Sequence, residues 1–329
     1  MKAIRITEHG GPESLQIQEV ADPLPAPNEV LVEVKATALN RADLLQCLGM
    51  YAAPPGVPPD IPGLEYAGTV ASVGSKVTRW RAGDRVMGIV GGGAFAQKLV
   101  THERECVPIP GEMAFRDAAA IPEAFFTAFD ALVLQGDLHS GETALIHAVA
   151  SGVGTAGLQI SMALSATVMG TSRHQAKLDR CVKELGLPHP ILCGPTAPRF
   201  GKKVKELTGG LGADFALELV GGEYFPETAT AMASRGRILL VGLLAGPEAS
   251  LDLRVLLSKR ITVIGTVLRS RPIEEKISLA RIFEHQLLPL FRAGRLRPVV
   301  DSVFPALRVQ EAFSRMTADE SFGKVVLEW

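Results

Sequence analysis

The chain has 329 residues, enough for about two domains of ordinary size. Its 34 Lys and Arg residues against 35 Asp and Glu residues give a net charge of -1, so no excess of positive charge indicates a nucleic acid or an anionic membrane as partner. The cysteines, Cys47, Cys106, Cys181 and Cys193, form no CxxC pair and have no histidine at zinc-ligand spacing, which excludes a disulfide framework and a recognisable zinc motif. The start, MKAIRITEHG, lacks the apolar core of a signal peptide, so we expect a cytoplasmic protein that acts on a small molecule.

The first hundred residues contain short stretches in which apolar and polar side chains alternate, the pattern of half-buried strands. These stretches are KAIRIT, LQIQEV, EVLVEVKATAL, GTVASVG, DRVMGIV and AQKLVTH. The proline-rich stretch YAAPPGVPPDIPG at residues 51–63 predicts an extended surface loop. The pattern therefore predicts a small β-rich domain with one long loop, of the kind that often borders a binding site.

From about residue 113 the apolar residues recur with the period of a helix, in FRDAAAIPEAFFTAFDALVL, where Pro122 predicts a break or a first-turn position. Strand and helix patterns then alternate. The strand candidates are TALIHAV, ATVMGTS, PILCG, ADFALELV, GRILLVGL and RITVIGTVL, most of them continuously apolar. This pattern predicts an α/β fold with a doubly wound parallel sheet covered on both faces.

An uncharged run extends from Thr143 to Ser172, longer than the roughly 20 residues of a membrane-spanning helix. Polar side chains interrupt it and no Trp or Tyr flanks it, so we do not interpret it as a membrane span. Its centre, HAVASGVGTAG, has the spacing GxGxxG at Gly152, Gly154 and Gly157, after a predicted strand and before the predicted helix TAGLQISMALS. This context predicts a dinucleotide site in which the helix N-terminus receives the phosphates. The alternative is a strand-to-helix turn that binds nothing.

NAD enzymes of this type usually have an acidic residue roughly 20 positions further on, which binds the ribose 2′-hydroxyl. This chain has GTSRHQAK there, with Ser172, Arg173 and Lys177 in place of a carboxylate. Cations at this point attract a 2′-phosphate, so the sequence predicts NADP(H). The alternative is that Arg173 and Lys177 belong to a solvated helix face.

Residues for acid, base or metal chemistry are sparse, and the chain contains no GxSxG or HExxH motif. This favours an electron-poor acceptor that needs little activation. His147 precedes the glycine turn and is either a cofactor contact or a core histidine. Asn40, in ALNRADLLQ, is either a substrate contact or a helix N-cap with Asp43 as its partner. Tyr51 either contacts the substrate or anchors the proline-rich loop.

Six segments, which span the chain in order, together resemble the zinc-independent quinone oxidoreductases of the medium-chain dehydrogenase/reductase superfamily. They are ALNRADLLQ, IPGLEYAGTVASVG, AAAIPEAFFTAF, ASGVGTAGLQ, LLSKRITVIGTVLRSR and SFGKVVLEW. The resemblance is stronger to the tumour-suppressor-inducible subgroup than to zeta-crystallin. Zinc-dependent members of the superfamily carry a Cys where this chain has Asn40 and a GHE motif where it has Gly63-Leu64-Glu65. The resemblance therefore implies a site without metal.

It also implies a GroES-like substrate domain from residues 1–121 and 268–329, with a Rossmann NADP(H)-binding domain at 122–267 inserted between them. Tyr51, Asn40 and Ser151 are the implied catalytic residues, and Cys193 stands where the family often has a Tyr. The implied cofactor contacts are Thr127, His147, Ser151, Gly152, Val153, Gly154, Gly170, Thr171, Ser172, Arg173, Lys177, Cys193, Val220, Val241, Gly242, Leu243, Leu244, Leu268, Ser270 and Lys324.

We therefore expect an NADPH-dependent quinone reductase, with ortho-quinones favoured, that transfers hydride or electrons without a metal in the cleft between the domains. The alternatives are an NADPH-dependent enone or alkenal reductase, and an NADPH-binding sensor or structural protein with little turnover. Family members commonly associate through the last Rossmann strand, here RITVIGTVL, so we expect a homodimer or homotetramer. The alternative is a strand edge covered by the chain's own helices.

Overall fold

The computed structural model describes residues 1–194 and 199–329. The chain forms two compact units: unit 1 comprises Met1–Phe126 and Leu268–Trp329, and unit 2 comprises Thr127–Val267. The first boundary between the units lies between Phe126 and Thr127, inside the helix Pro122–Phe129. The sequence analysis places this boundary between residues 121 and 122, just before the helix. Pro122 is its first residue, where the missing N–H costs no hydrogen bond.

The strands are β1 (Lys2–Ile6), β2 (Leu15–Glu19), β3 (Glu29–Ala38), β4 (Glu65–Val73), β5 (Arg85–Ile89), β6 (Lys98–His102), β7 (Val107–Pro108), β8 (Thr143–Ile146), β9 (Thr167–Ser172), β10 (His189–Leu192), β11 (Ala213–Glu218), β12 (Met232–Leu240), β13 (Thr262–Gly265), β14 (Val300–Pro305) and β15 (Lys324–Glu328). The helices are α1 (Arg41–Cys47), α2 (Phe115–Ala118), α3 (Pro122–Phe129), α4 (Gly152–Ala163), α5 (Gln175–Leu185), α6 (Gly201–Leu207), α7 (Tyr224–Ala231), α8 (Arg254–Lys259), α9 (Ile273–Gln286), α10 (Leu288–Arg292) and α11 (Val309–Thr317).

Unit 1 joins strands from both ends of the chain in one sheet. The strand order is β14-β15-β3-β4-β5-β7, with β6 paired to β3, and β1 and β2 form a separate antiparallel pair. β15 runs antiparallel to β3 and pairs Val326 with Ala38. The chain's last strand is therefore an integral part of the β-rich unit.

Aromatic side chains fill much of the core of unit 1. Phe126 of α3 stacks on Phe283 of α9 with ring centroids 4.0 Å apart, and Phe95 meets Phe313 edge to face at 6.3 Å. All four side chains are buried, and burial of a side chain of this size stabilises the fold by about 2–3 kcal/mol.

Unit 2 contains a six-stranded parallel sheet in the order β10-β9-β8-β11-β12-β13. Numbered within the unit, this is the order 3-2-1-4-5-6 of a Rossmann domain. Residues of the central strands, such as Leu145 and Leu217, are fully buried, which explains their continuous apolar runs. The predicted α/β fold with a doubly wound sheet is confirmed.

Two elements of unit 2 differ from the sequence prediction. α4 begins at Gly152, earlier than the segment TAGLQISMALS, because the Ser151 side chain caps the first turn of the helix at Gly154. β13 covers only Thr262–Gly265, and Val263 within it is 40% exposed, as in an edge strand. No helix within the described residues is long and apolar enough to cross a membrane.

Candidate functional site

The glycine-rich turn lies at the carboxyl end of β8 and leads directly into α4. Ser151 Oγ accepts the N–H of Gly154 at 3.0 Å. A Cβ atom on Gly154 would lie 2.2 Å from the Ala148 carbonyl oxygen, and one on Gly157 would lie 2.9 Å from Leu217 Cδ2. These glycines therefore let the helix approach the sheet closely. The first N–H groups of α4 have no acceptor within the helix and are suited to bind phosphate.

The carboxyl ends of β8, β9, β11 and β12 meet at one edge of the parallel sheet, which we call the carboxyl edge. Most of the predicted cofactor residues lie there: Ser151, Gly152, Val153, Gly154, Gly170, Thr171, Ser172, Val220, Val241, Gly242, Leu243 and Leu244. Leu243 and Leu244 are each 50% exposed, so this edge presents apolar surface beside the glycine turn. Thr127 lies on α3 and belongs to none of these strands.

The end of β9 has the charge pattern expected for a 2′-phosphate. Ser172 is the last residue of the strand and its Oγ accepts the N–H of His174 at 3.2 Å. Arg173 is exposed and Lys177 is half-buried near the start of α5. No Asp or Glu occurs from Thr167 to Leu178. A carboxylate that would repel a phosphate is therefore missing at this point.

His147, Thr171 and Cys193 are among the predicted cofactor contacts, and their side chains are buried beneath the carboxyl edge. His147 is fully buried, with Nδ1 2.9 Å from Thr171 Oγ1 and Nε2 2.9 Å from Thr228 Oγ1. Burial lowers the pKa of His147, and the carboxylate of Glu218 acts in the opposite direction. Burial also raises the pKa of the Cys193 thiol to about 11. The burial and the two hydrogen bonds favour the interpretation of His147 as a core histidine.

In unit 1 a buried lysine organises a polar cluster at the start of α1. Lys324 is 5% exposed, and its Nζ donates to Glu65 Oε1 at 2.8 Å, Asn40 Oδ1 at 2.5 Å and the Leu39 carbonyl at 2.7 Å. Asn40 Nδ2 donates to Glu65 Oε1 at 2.9 Å and to the Ala38 carbonyl at 3.2 Å. Lys324 is thus bonded within unit 1, and both side-chain N–H groups of Asn40 have acceptors there. The roles of these two residues toward a cofactor and a substrate stay predictions.

Asp43 supports the interpretation of Asn40 as a helix N-cap. Its Oδ2 accepts the backbone N–H of Asn40 at 2.7 Å, and its Oδ1 accepts the N–H of Gly63 at 2.9 Å. Burial raises the pKa of Asp43 to about 6, although both hydrogen bonds act to lower it. Asp43 therefore ties the start of α1 to the segment before β4.

Glu123 lies next to the polar cluster around Lys324. The sequence does not mark it as functional, because acidic residues are favoured in the first turn of any helix. Its backbone N–H donates to Glu65 Oε2 at 2.8 Å. Burial raises the pKa of Glu123 to about 8; the charge of Glu65 also raises it, whereas Lys324 lowers it. The Glu123 carboxyl is therefore mostly protonated at neutral pH.

Tyr51 is fixed at the start of the proline-rich loop by Arg269. The guanidinium carbon lies 4.8 Å from the centroid of the Tyr51 ring, and Nη1 donates to the Tyr51 carbonyl at 3.1 Å. The other nitrogens bind the Gly91 carbonyl at 2.7 Å and Gln46 Oε1 at 2.6 Å. Tyr51 Oη makes no hydrogen bond to any residue that the structure describes, and burial raises its pKa. Its hydroxyl is therefore a neutral donor available to a ligand.

Arg269 lies between two predicted cofactor contacts of the segment LRSR. Leu268 is 6% exposed and belongs to the core, whereas Ser270 is exposed. The sequence analysis did not single out Arg269, whose partners Tyr51, Gly91 and Gln46 lie far from it in the chain.

The side chains of unit 1 do not fit a catalytic zinc ion. In the described part of the chain no three His, Cys, Asp or Glu residues are grouped so that they could hold a metal. Glu65 and Asn40 offer their oxygens to the ammonium of Lys324, which is itself a cation.

Replacement of Ser151 by Val tests the glycine turn. The variant loses the helix cap and adds a branched side chain, so we expect the Kd for NADPH, measured by fluorescence titration, to rise on the order of tenfold. Ser151→Thr keeps the hydroxyl, so its Kd for NADPH should rise less than that of Ser151→Val. An unchanged Kd in Ser151→Val would contradict the assignment.

Replacement of Glu123 by Gln tests the half-buried carboxyl at the start of α3. Because the pKa of Glu123 is raised from 4.5 to about 8, the folded state retains a proton that the unfolded state loses, and the free energy of unfolding should fall as pH rises through this window. Glu123→Gln should flatten this fall in urea unfolding curves. The exposed Glu112 supplies the control Glu112→Gln, and equal pH slopes in all three proteins would refute the prediction.

Comparisons with known proteins agree with this architecture. The profile "Alcohol dehydrogenase GroES-like domain" matches residues 26–111, and "Zinc-binding dehydrogenase" matches residues 152–284. A quinone oxidoreductase of Lama guanicoe is 32% identical over 99% of this chain and 97% of its own. A quinone oxidoreductase-like protein 2 homolog of Nematostella vectensis is 33% identical over 91% of this chain and 81% of its own.

Solved structures extend the comparison. An NAD-dependent alcohol dehydrogenase superposes with a TM-score of 0.88 at 31% identity and covers all of both chains. CurK enoyl reductase superposes with a TM-score of 0.86 at 27% identity, over 99% of this chain and 98% of its own. The chain therefore belongs to the quinone oxidoreductases of the medium-chain dehydrogenase/reductase superfamily, a family of oxidoreductases that bind a nicotinamide cofactor.

Proposed function

We propose that this chain is an NADPH-dependent quinone reductase that works without a metal ion. The observation that carries the proposal is the pairing, at one carboxyl edge, of the glycine turn with a β9 end that has Ser172, Arg173 and Lys177 and no carboxylate. Helix N–H groups and cations are the partners that a dinucleotide phosphate and a 2′-phosphate need. The names of the quinone oxidoreductase relatives support the acceptor class.

The proposed reaction needs little acid or base from the protein. NADPH supplies a hydride when bound, so that quinone, NADPH and one proton give hydroquinone and NADP⁺. The Tyr51 hydroxyl donates a hydrogen bond to the acceptor oxygen as negative charge develops on it. Arg269 keeps the Tyr51 ring in position for this. We favour ortho-quinones, because two adjacent carbonyl oxygens can share one hydroxyl donor.

The second candidate function is reduction of an enone or alkenal with NADPH. The free hydroxyl of Tyr51 favours it, because hydride addition to a β-carbon leaves an enolate that needs a hydrogen bond or a proton. The likeness to CurK enoyl reductase gives this candidate further support.

An acceptor panel separates these functions. NADPH and NADH oxidation is followed by nicotinamide absorbance with ortho-quinones, para-quinones and conjugated enals. We expect NADPH and ortho-quinones to be preferred, and Tyr51→Phe to slow quinone reduction only a few-fold but enal reduction by about 100-fold or more. Turnover of enals but of no quinone would contradict the quinone reductase proposal and support the second candidate function. NADPH binding without turnover of any acceptor would refute both.

We also propose that two copies pair through β13. This edge strand is short and exposed, and Leu253, Leu257 and Val267 beside it are 65%, 76% and 48% exposed. An apolar strand edge of this kind aggregates unless it is paired. The same strand of a second copy would extend the sheet across a two-fold axis and cover these side chains.

Replacement of Val263 by Lys tests the pairing. Wild type should elute as a dimer or tetramer in size-exclusion chromatography with light scattering, and Val263→Lys should shift it to the monomer. Val73 is 39% exposed on β4 and gives the matched control Val73→Lys. A monomeric wild type, or an unchanged oligomer in Val263→Lys, would contradict the proposal.

A further inference from the structure

A chain of buried hydrogen bonds runs beneath the carboxyl edge of unit 2 and links three of its strands. It connects Thr171 of β9, His147 after β8, Thr228 of α7 and Glu218 of β11, and we call it the Thr171–Glu218 network. Thr171 is 1% exposed and the other three side chains are fully buried. The successive contacts are 2.9 Å from Thr171 Oγ1 to His147 Nδ1, 2.9 Å from His147 Nε2 to Thr228 Oγ1, and 2.7 Å from Thr228 Oγ1 to Glu218 Oε2.

The direction of each hydrogen bond follows from Glu218, which acts as an acceptor on both oxygens. Its Oε1 accepts the backbone N–H groups of Val220 and Gly221 at 2.9 and 3.0 Å. Its Oε2 is the nearest and most negative acceptor for the Thr228 hydroxyl proton. Thr228 Oγ1 then accepts from His147 Nε2–H, and His147 Nδ1 accepts from the Thr171 hydroxyl. The network thus fixes one tautomer of an uncharged imidazole.

Glu218 connects this network to the two loops that follow β11 and β12. Its side chain holds the N–H groups of Val220 and Gly221, and its carbonyl accepts the N–H groups of Val241 and Gly242 at 2.9 and 3.2 Å. Under the proposed function, these loops lie beside the nicotinamide. Glu218 therefore contacts both loops, the loop after β11 through its carboxylate and the loop after β12 through its backbone carbonyl.

The other end of the network reaches the glycine turn and the end of β9. His147 precedes the turn, and its backbone N–H donates to the Leu217 carbonyl at 3.2 Å. The Thr171 carbonyl accepts the N–H of Val149 at 3.0 Å, and Thr171 immediately precedes Ser172. The side chains of the Thr171–Glu218 network, together with the backbone hydrogen bonds of the same residues, thus join three segments. These are the segments expected at the pyrophosphate, at the 2′-phosphate and at the nicotinamide.

We infer that His147 and Thr228 are positioning residues that hold the loop after β11 relative to the glycine turn, so that the nicotinamide of NADPH is bound in a fixed orientation. This inference rests on the proposed function, because it assumes that NADPH occupies the carboxyl edge. Neither side chain has to touch the cofactor; both act through Glu218 and the N–H groups that it orients.

The inference predicts that a break in the network affects the two ends of the cofactor differently. Thr228→Val has nearly the same shape but removes the hydroxyl that bridges His147 Nε2 and Glu218 Oε2, which are 3.6 Å apart and would keep only their long direct contact. The loop after β11 loses its support, whereas the glycine turn keeps the cap supplied by Ser151. Affinity for the nicotinamide half should therefore fall more than affinity for the adenosine half.

The experiment compares NADPH with 2′,5′-ADP, which lacks the nicotinamide, by calorimetric titration of wild type, Thr228→Val and Thr228→Ser. We expect the Kd for NADPH to rise on the order of tenfold in Thr228→Val, with 2′,5′-ADP within about twofold of wild type and Thr228→Ser close to wild type for both. The exposed Thr230 lies on the same helix and gives the matched control Thr230→Val. Thr228→Ala removes the same hydroxyl and replaces Thr228→Val if that variant does not fold.

Equal losses for both ligands, or a lowered melting temperature with unchanged affinities, would reduce the network to a structural role and overturn the inference. If wild type did not bind NADPH, the inference would fail together with the cofactor assignment. If the difference between the two ligands appeared but no quinone were reduced, the positioning role would stand and the proposed reaction would fail.

Discussion

The close contact between the first turn of α4 and the end of β8 is the constraint on which the cofactor site depends. Without a side chain at Gly154, the helix begins against the carbonyl of Ala148, and Ser151 can cap it from the adjoining turn. The parallel order of the sheet then brings the loops after β9, β11 and β12 to the same edge. If the helix started further from β8, Ser151 could not cap it, and its N-terminus would no longer lie at the same edge of the sheet as these loops.

Unit 1 depends on a different interaction, the burial of the Lys324 ammonium against Glu65. Removing two charges from water is costly, and here the cost is offset by additional hydrogen bonds to Asn40 and Leu39. Protonation of the nearby Glu123 keeps further negative charge out of the cluster. These contacts make the cluster a rigid support for the start of α1 and leave Tyr51 as the side chain with a free donor.

Much of the fold could be predicted from the sequence because its signals are local. The GxGxxG spacing, the apolar strands of unit 2 and Pro122 at a helix start each depend on residues a few positions apart. The roles of Lys324, Arg269 and His147 depend on distant partners. Lys324 meets Asn40 across 284 positions and Arg269 meets Tyr51 across 218. Hydrophobic periodicity carries no signal for such pairings, so the sequence could not show that the side chains of Lys324 and His147 are bonded within their own units.

The most direct test of the central claim is a single-turnover experiment on protein whose metal content has been measured by mass spectrometry. Protein carrying one equivalent of NADPH is mixed rapidly with an ortho-quinone, and nicotinamide absorbance is followed. We expect nearly all of the bound NADPH to be oxidised in a sample with far less than one metal ion per chain, and a chelator to leave the rate unchanged. Oxidation that appears only after zinc is added, or none at all, would contradict it.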